Sequence, residues 1–383
     1  MIPLVDLPRL HAPLRDDLIA AFVRVLDSGQ FILGQPVEAF EDALARYTQA
    51  AFSVGTSSGT DALLMALMAL RVRPGDEIIT TPFTFFATAC TIVRLGATPV
   101  FADVDPDTLL IDPDAVAAAI TPRTVGIIPV HLFGCCADMT RIQRIADAAK
   151  LWVIEDAAQA LGATHKGRMA GTMGTLGACS FFPAKLLGAL GDAGAVFGND
   201  ASLQPALQAL RTHGTSTKYY HKCIGGNFRM DALQAELLRI KLDALPREIE
   251  ARQAVVTRYR DAFARAEGIA LAEAPAGDTW LHHPFVLQLD RRDAVREALT
   301  QHRIATAIYY PSPLHLSPAL AHLGHRDGAF PNAETASRRT LAIPSYAGLE
   351  GADQARVIDL VTRAAAGADT GTSPGTSTGG THP

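Results

Sequence analysis

The chain of 383 residues has no stretch of about 18 uncharged apolar residues, which excludes a reading as a protein with membrane-spanning helices. It has no excess of basic residues either. A formal net charge of −5 gives no electrostatic reason to expect nucleic acid or an acidic membrane as a partner. Cysteine is scarce, at positions 90, 135, 136, 179 and 223, with no C-x-x-C pair. That spacing fits neither a disulfide framework nor a zinc site, so reduced, mostly buried thiols and no metal are expected. The first residues, Met1-Ile2-Pro3-Leu4-Val5-Asp6, lack the basic segment and apolar core of a secretory signal. A cytoplasmic protein is therefore expected. Apolar content is nearly absent from about residue 367 to the end, where Gly, Thr, Ser and Pro dominate, and a disordered tail is expected over 367–383.

What is present is an ordinary globular composition, 48% hydrophobic and 19% charged, in a chain long enough for two domains. Between about residues 50 and 200, short apolar runs alternate with helical patterns. They include Phe52-Ser53-Val54, Glu77-Ile78-Ile79-Thr80, Pro99-Val100-Phe101, Gly126-Ile127-Ile128-Pro129-Val130, Trp152-Val153-Ile154, Ala178-Cys179-Ser180-Phe181 and Ala195-Val196-Phe197. Runs this short and continuous read as strands buried on both faces of a largely parallel sheet. In such sheets ligands gather beyond the strand carboxyl ends. A long amphipathic helix around residues 247–266 leads into a second unit, where strand-like runs return at His283–Leu287 and Thr306–Tyr310. The expected division is 1–240 for a large domain and 241–366 for a smaller one.

Two residues at strand ends carry the chemistry. Asp156 closes the run Trp152-Val153-Ile154-Glu155, and Lys185 follows Ser180-Phe181-Phe182-Pro183-Ala184. Pyridoxal phosphate needs that combination: an amine to hold its aldehyde, and an acid to keep its ring nitrogen protonated. Taken singly, Asp156 reads equally as a helix N-cap and Lys185 as a solvated loop lysine. The apolar flanks of Lys185 favour the chemical reading, because desolvation lowers a lysine pKa. The small residues Gly55-Thr56-Ser57-Ser58-Gly59-Thr60 open a helix and suit either an anion cradle or a plain capped turn. Gln159 shares a helical turn with Asp156, Ser180 offers a hydroxyl, and Phe85 offers either a stacking face or core packing.

Together these segments resemble the DegT/DnrJ/EryC1/StrS sugar aminotransferases, of pyridoxal phosphate fold type I. The match runs from Val5 to about Tyr346, through Phe31-Ile32-Leu33-Gly34, Ser58-Gly59-Thr60-Asp61-Ala62-Leu63, Glu155-Asp156-Ala157-Ala158-Gln159, Ser180-Phe181-Phe182-Pro183-Ala184-Lys185 and Gly226-Asn227-Phe228-Arg229-Met230-Asp231. The resemblance implies an α/β fold, a mostly parallel sheet flanked by helices with a smaller α+β C-terminal domain. It implies that Lys185 binds pyridoxal 5′-phosphate covalently, Asp156 pairs with the ring nitrogen, Gln159 meets the ring oxygen side and Phe85 stacks. Gly59, Thr60 and Ser180 would hold the phosphate. Asn227 would reach the cofactor of a neighbouring subunit in a homodimer with shared active sites. Phe31, His131, Arg229, Tyr309, Tyr310 and His315 stand where relatives meet their substrate. Lysine, not histidine, at 185 favours amino transfer over dehydration. The implied reaction moves the amino group of L-glutamate to a keto group of a nucleotide-linked sugar, with pyridoxamine phosphate as the intermediate cofactor form. The passages Thr81–Thr88 and Lys218–His221 look most like relatives acting on 3-keto deoxysugars of deoxythymidine diphosphate. The alternatives are amination at C4 and a non-catalytic sensor or regulator. A family match beginning at residue 5 and the lack of a basic arm argue against a DNA-reading regulator.

Overall fold

The computed structural model describes residues 1–217 and 219–368. Lys218 and nearly all of the expected disordered tail lie outside the described residues. Seven strands form one sheet: β1 (Phe52–Thr56), β2 (Glu77–Thr80), β3 (Thr98–Phe101), β4 (Thr124–Ile128), β5 (Trp152–Asp156), β6 (Leu176–Ser180) and β7 (Gly194–Gly198). Their spatial order is β1-β7-β6-β5-β4-β2-β3. Every neighbouring pair from β6 to β3 is parallel, while β7 runs antiparallel to both β6 and β1. The α/β expectation holds, as a parallel sheet with one reversed strand.

Successive residues of these strands face opposite cores, as a period of two requires. Ile79, Ile127 and Val153 enter one apolar cluster, with Phe40, Leu44, Leu238 and Leu242. Their neighbours Ile78, Ile128 and Ile154 enter another, with Leu63, Leu67 and Val196. Burial on both faces is why the strands read as continuous apolar runs rather than alternating ones. Helices α1 (Arg15–Ser28), α2 (Gln35–Thr48), α3 (Gly59–Ala69), α4 (Ala87–Arg94) and α5 (Met139–Ala149) surround the sheet.

Helix α6 (Ala232–Phe263) joins two hydrophobic cores. Its first half places Ala235, Leu238 and Leu245 against the sheet cluster. Its second half places Val255, Val256, Tyr259 and Phe263 in a separate core. There they meet the antiparallel strands β8 (Ile269–Ala270), β9 (Phe285–Leu289) and β10 (Thr340–Ile343), and helices α7 (Arg292–Gln301) and α8 (Gly351–Ala365). Ile2 also belongs to this second core, with Val357, Leu360 and Val361 of α8.

Candidate active site

Strand β5 ends at Asp156 and β6 at Ser180, so the sheet delivers both residues to one edge. The loop after Ser180 is anchored on either side of Lys185. Phe181 is fully buried and meets Phe40 edge-on at 5.5 Å, and Leu186 and Leu187 sink into the same core. The Lys185 N–H donates to the Phe182 carbonyl at 2.8 Å, closing a tight turn. Apolar anchors at 181 and 186–187 leave the Lys185 side chain facing the cavity at the sheet edge.

That cavity has a volume of about 470 Å³, within the range of small-molecule sites. It brings together Lys185, Asp156, Gln159, Gly59, Thr60, Ser180, Phe85, Tyr309 and Tyr310. Asp156 is 5% exposed; its Oδ2 accepts from the Thr88 hydroxyl at 2.8 Å and its Oδ1 from the Ala158 N–H at 3.2 Å. Burial pushes the Asp156 carboxyl above its ordinary range, against the pull of those hydrogen bonds and of the Lys185 charge. Burial pulls Lys185 below its ordinary range, opposed by Asp156. Among the described residues no hydrogen bond or ion pair holds the Lys185 amine.

Against Ser180 lies the N-terminus of α3. The Ser58 hydroxyl caps it by accepting from the Asp61 N–H at 3.1 Å. Glycine is required at 59: a Cβ there would stand 2.6 Å from the Ser180 Cβ. The close approach sets Gly59, Thr60 and Ser180 side by side, with first-turn amides suited to an anion. Gln159 is fixed at both ends. Its Oε1 accepts from the Phe133 N–H at 2.9 Å, and its Nε2 donates to the Tyr310 hydroxyl at 3.0 Å. Phe85 is 58% exposed at the cavity rim, 6.4 Å between ring centroids from Tyr310.

Other expected site residues lie elsewhere. Asn227 and Arg229 line an adjoining recess of about 390 Å³, which shares Asp192 with the main cavity. Phe31 sits near that recess, half exposed, its carbonyl accepting from the Ala232 N–H at 3.0 Å. The expectation of substrate contact at His131 is corrected: the side chain is fully buried and both ring nitrogens are occupied. Nδ1 accepts from the Ala137 N–H at 3.1 Å, and Nε2 donates to Glu155 at 2.7 Å. Glu155 also accepts from the N–H groups of Gly171, Met173 and Gly174, so this network braces the loop behind Asp156. His315 is corrected likewise. It is buried against Phe330 with its Nε2 on Glu334 at 3.0 Å, away from the cavity. Residues the sequence did not mark also line the cavity: Thr84, Arg252, His283 and Ser345. Among the described residues no cluster of His, Cys, Asp and Glu suits a metal, and no helix is long and apolar enough to cross a membrane.

A buried amine, a buried acid and a small-residue anion cradle at the edge of one mostly parallel sheet fit the class of pyridoxal phosphate-dependent enzymes. Residues 13–362 match the DegT/DnrJ/EryC1/StrS aminotransferase family, and the chain belongs to it. It is 43% identical over 362 residues to a UDP-N-acetyl-3-dehydro-alpha-D-glucosamine 3-aminotransferase of Acidithiobacillus ferrooxidans, covering 94% of this chain and 97% of that one. A protein of Geobacillus stearothermophilus described as a pleiotropic regulatory protein is 41% identical, with the same coverage. Among solved structures, S. venezuelae DesV in complex with a ketimine intermediate superposes with a TM-score of 0.93 at 40% identity, covering 95% of this chain and 98% of that one. NtdA of Bacillus subtilis, solved with bound pyridoxamine phosphate, has a TM-score of 0.85 at 31% identity, covering 92% of this chain and 82% of that one.

Proposed function

We propose that this enzyme transfers the amino group of L-glutamate to the C3 keto group of a nucleotide-linked sugar, with a deoxythymidine diphosphate deoxysugar as the acceptor. The observation that carries amino transfer is the unpartnered, desolvated Lys185 amine in one cavity with Asp156. The A. ferrooxidans relative, named for a 3-dehydro sugar, supports C3 over C4. The Thr81–Thr88 segment follows β2, lines the cavity with Thr84 and Phe85 and bonds Asp156 through Thr88, and its likeness to relatives that act on deoxysugars supports that acceptor.

The residues present fit pyridoxal phosphate: the cavity has the volume, Gly59, Thr60 and Ser180 line it side by side at a helix N-terminus that suits a phosphate, and Lys185 is free to react. When bound, that cofactor supplies an aldehyde that receives the amino group and a ring that withdraws electrons. Lys185 would anchor the aldehyde. Its amine, kept toward the neutral form by burial, would carry the proton from the donor α-carbon to the cofactor carbon that bore the aldehyde, and in the second half-reaction from that carbon to the sugar carbon. Asp156 would hold the ring-nitrogen proton, oriented by Thr88 and the Ala158 N–H. Phe85 and Tyr310 would exclude water from one face, and Gln159 would meet the ring edge. Arg229, Tyr309 and Phe31 remain the proposed sugar-side contacts.

A homodimer with shared sites belongs to the same proposal. Ile19, Phe22, Val23 and Leu26 form an exposed apolar stripe on α1, and Phe31 and Ile32 are exposed nearby. Asn227, in the recess beside the cavity, would then serve the cofactor of the other subunit. The chain is proposed to divide into large and small units within α6, where one core gives way to the other. Five free thiols support the proposed cytoplasmic setting.

The test is to incubate the purified enzyme with L-glutamate and a panel of 3-keto and 4-keto nucleotide sugars. Amination of a 4-keto sugar alone would overturn the C3 assignment. A cofactor absorbance band that glutamate leaves unchanged would instead favour the sensor reading, which the G. stearothermophilus relative's name keeps as the second candidate.

A further inference from the structure

Helix α6 buries two cations that the mechanism leaves unused, Arg252 and Lys241. Arg252 ties the Ser345 and His282 carbonyls beside the second core, the latter at 2.8 Å. Lys241 lies in the first half of the helix, is 7% exposed, and reaches a different target. Its ammonium donates to the Gly188 carbonyl and, at 3.1 Å, to the Nε2 of His11 on the short helix Leu7–His11. Among the described residues no carboxylate lies within ion-pairing distance of it. Glu248 acts at longer range, and burial pulls Lys241 below its ordinary range. Burying an ammonium is costly, and a neutral side chain could satisfy one carbonyl at less cost. What Gly188 belongs to therefore matters.

Gly188 stands in the closed loop that carries Lys185. A Cβ at 188 would lie 2.2 Å from the Pro183 carbonyl oxygen, so the two limbs of the loop touch. The Ala189 N–H donates to the Phe181 carbonyl at 2.8 Å across the loop's base. Phe181, packed on Phe40, fixes the first limb. Helix α6 grips the second limb twice: Gln234 Oε1 accepts from the Leu190 N–H at 2.9 Å, and Lys241 holds Gly188. Gln234 and Lys241 are two turns apart, on one side of the helix, so a single face sets the depth of this limb. Burial and the Lys241 charge hold His11 toward its neutral form, which lets its ring nitrogen accept and keep the ammonium aimed. Lys185 must carry a proton between two carbons, and a misplacement of ~1 Å at such a group costs on the order of 100-fold in rate.

We propose that Lys241 is a positioning residue for Lys185: with Gln234 it holds the lysine loop at the depth from which the amine meets the cofactor and moves the proton. This inference rests on the aminotransferase reading above. Lys241 acts through the loop and touches neither substrate nor cofactor.

Two variants separate hydrogen-bond donation from the filling of space. Lys241→Met keeps a long side chain and removes the donor, whereas Lys241→Gln keeps a neutral donor on a shorter stem. In the full-length apoprotein, amide hydrogen exchange over residues 181–190 should be ~10-fold faster in Lys241→Met and ~3-fold faster in Lys241→Gln, with β4 and β5 unchanged. Capture of pyridoxal 5′-phosphate, trapped on Lys185 with borohydride and read by mass, should slow in the same order. In the loaded enzyme kcat should fall ~30-fold in Lys241→Met and ~5-fold in Lys241→Gln, with glutamate and keto-sugar KM within ~3-fold of wild type. Unaltered exchange and capture in Lys241→Met would overturn the proposal. Greater impairment of Lys241→Gln than of Lys241→Met would also overturn it, leaving Lys241 a space-filling residue. Faster exchange across the whole sheet with a lower melting temperature would overturn it in the same way. A wild type that aminates no sugar would instead sink the aminotransferase reading, while exchange over 181–190 would still report on the hold over Lys185.

Discussion

The two walls of the cavity are built on different principles. The sheet wall takes its groups from strand ends and one helix N-terminus: Asp156, Ser180, Lys185, Gly59 and Thr60. Each is a short step from a buried strand, so local geometry fixes it. The opposite wall takes Arg252 from the middle of a long helix, and His283 and Ser345 from segments flanking β9 and β10. Those groups meet only because two cores pack against each other. The first wall is suited to chemistry common to many substrates, and the second to choosing among them.

Substitutions should separate the walls, beginning with the largest effect. Lys185→Ala is expected to lower turnover by ~10⁴-fold or more while the protein still binds cofactor non-covalently. Steady-state turnover by this variant without an added amine would remove Lys185 from its role. Asp156→Ala should slow both half-reactions by ~100-fold or more and weaken cofactor retention, measured by stopped-flow absorbance and dialysis. Equal rates in variant and wild type would contradict its pairing with the ring.

His131→Ala tests the bracing network behind the sheet wall. Removing the imidazole takes one of four hydrogen bonds from the buried Glu155 and leaves the Ala137 N–H without its acceptor, which should cost ~1–3 kcal/mol, seen as a lower melting temperature with the keto-sugar KM little changed. A selective rise in that KM at constant stability would return His131 to the substrate. The pH dependence of cofactor capture follows from the direction of the Lys185 shift. A pKa below the ordinary lysine value makes the neutral amine available at lower pH. The capture rate of the apoprotein should therefore rise with pH and level off below the usual lysine range; a plateau at or above that range would deny the desolvation. The smallest effect is expected for Thr88→Val, which removes one hydrogen bond to Asp156 and should slow turnover by ~10-fold or less.

The same contrast explains what the sequence disclosed. The strands were legible because burial on both faces writes itself as unbroken apolar runs, as at Ile78-Ile79 and Ile127-Ile128. Lys185 and Asp156 were legible because they interrupt such runs at their ends. The reversed direction of β7 was not, since Ala195-Val196-Phe197 reads the same either way along the sheet. Arg252 looked like any charge on an amphipathic helix, and nothing local distinguishes a buried arginine from a solvated one. His131 and His315 misled in the opposite sense. The resemblance placed both among the substrate contacts, whereas Glu155 and Glu334, unremarkable in sequence, each take up one ring nitrogen, the Nε2, in a buried pair.

Helix α6 runs unbroken through both hydrophobic clusters and bears Arg252 where they meet. Neither half of the molecule can therefore melt without dragging its neighbour's scaffold along, which makes a single cooperative calorimetric transition the natural outcome. Any rocking of the smaller half would pivot on this rod, and would shift the guanidinium relative to Lys185 by an amount set by the rod's bend.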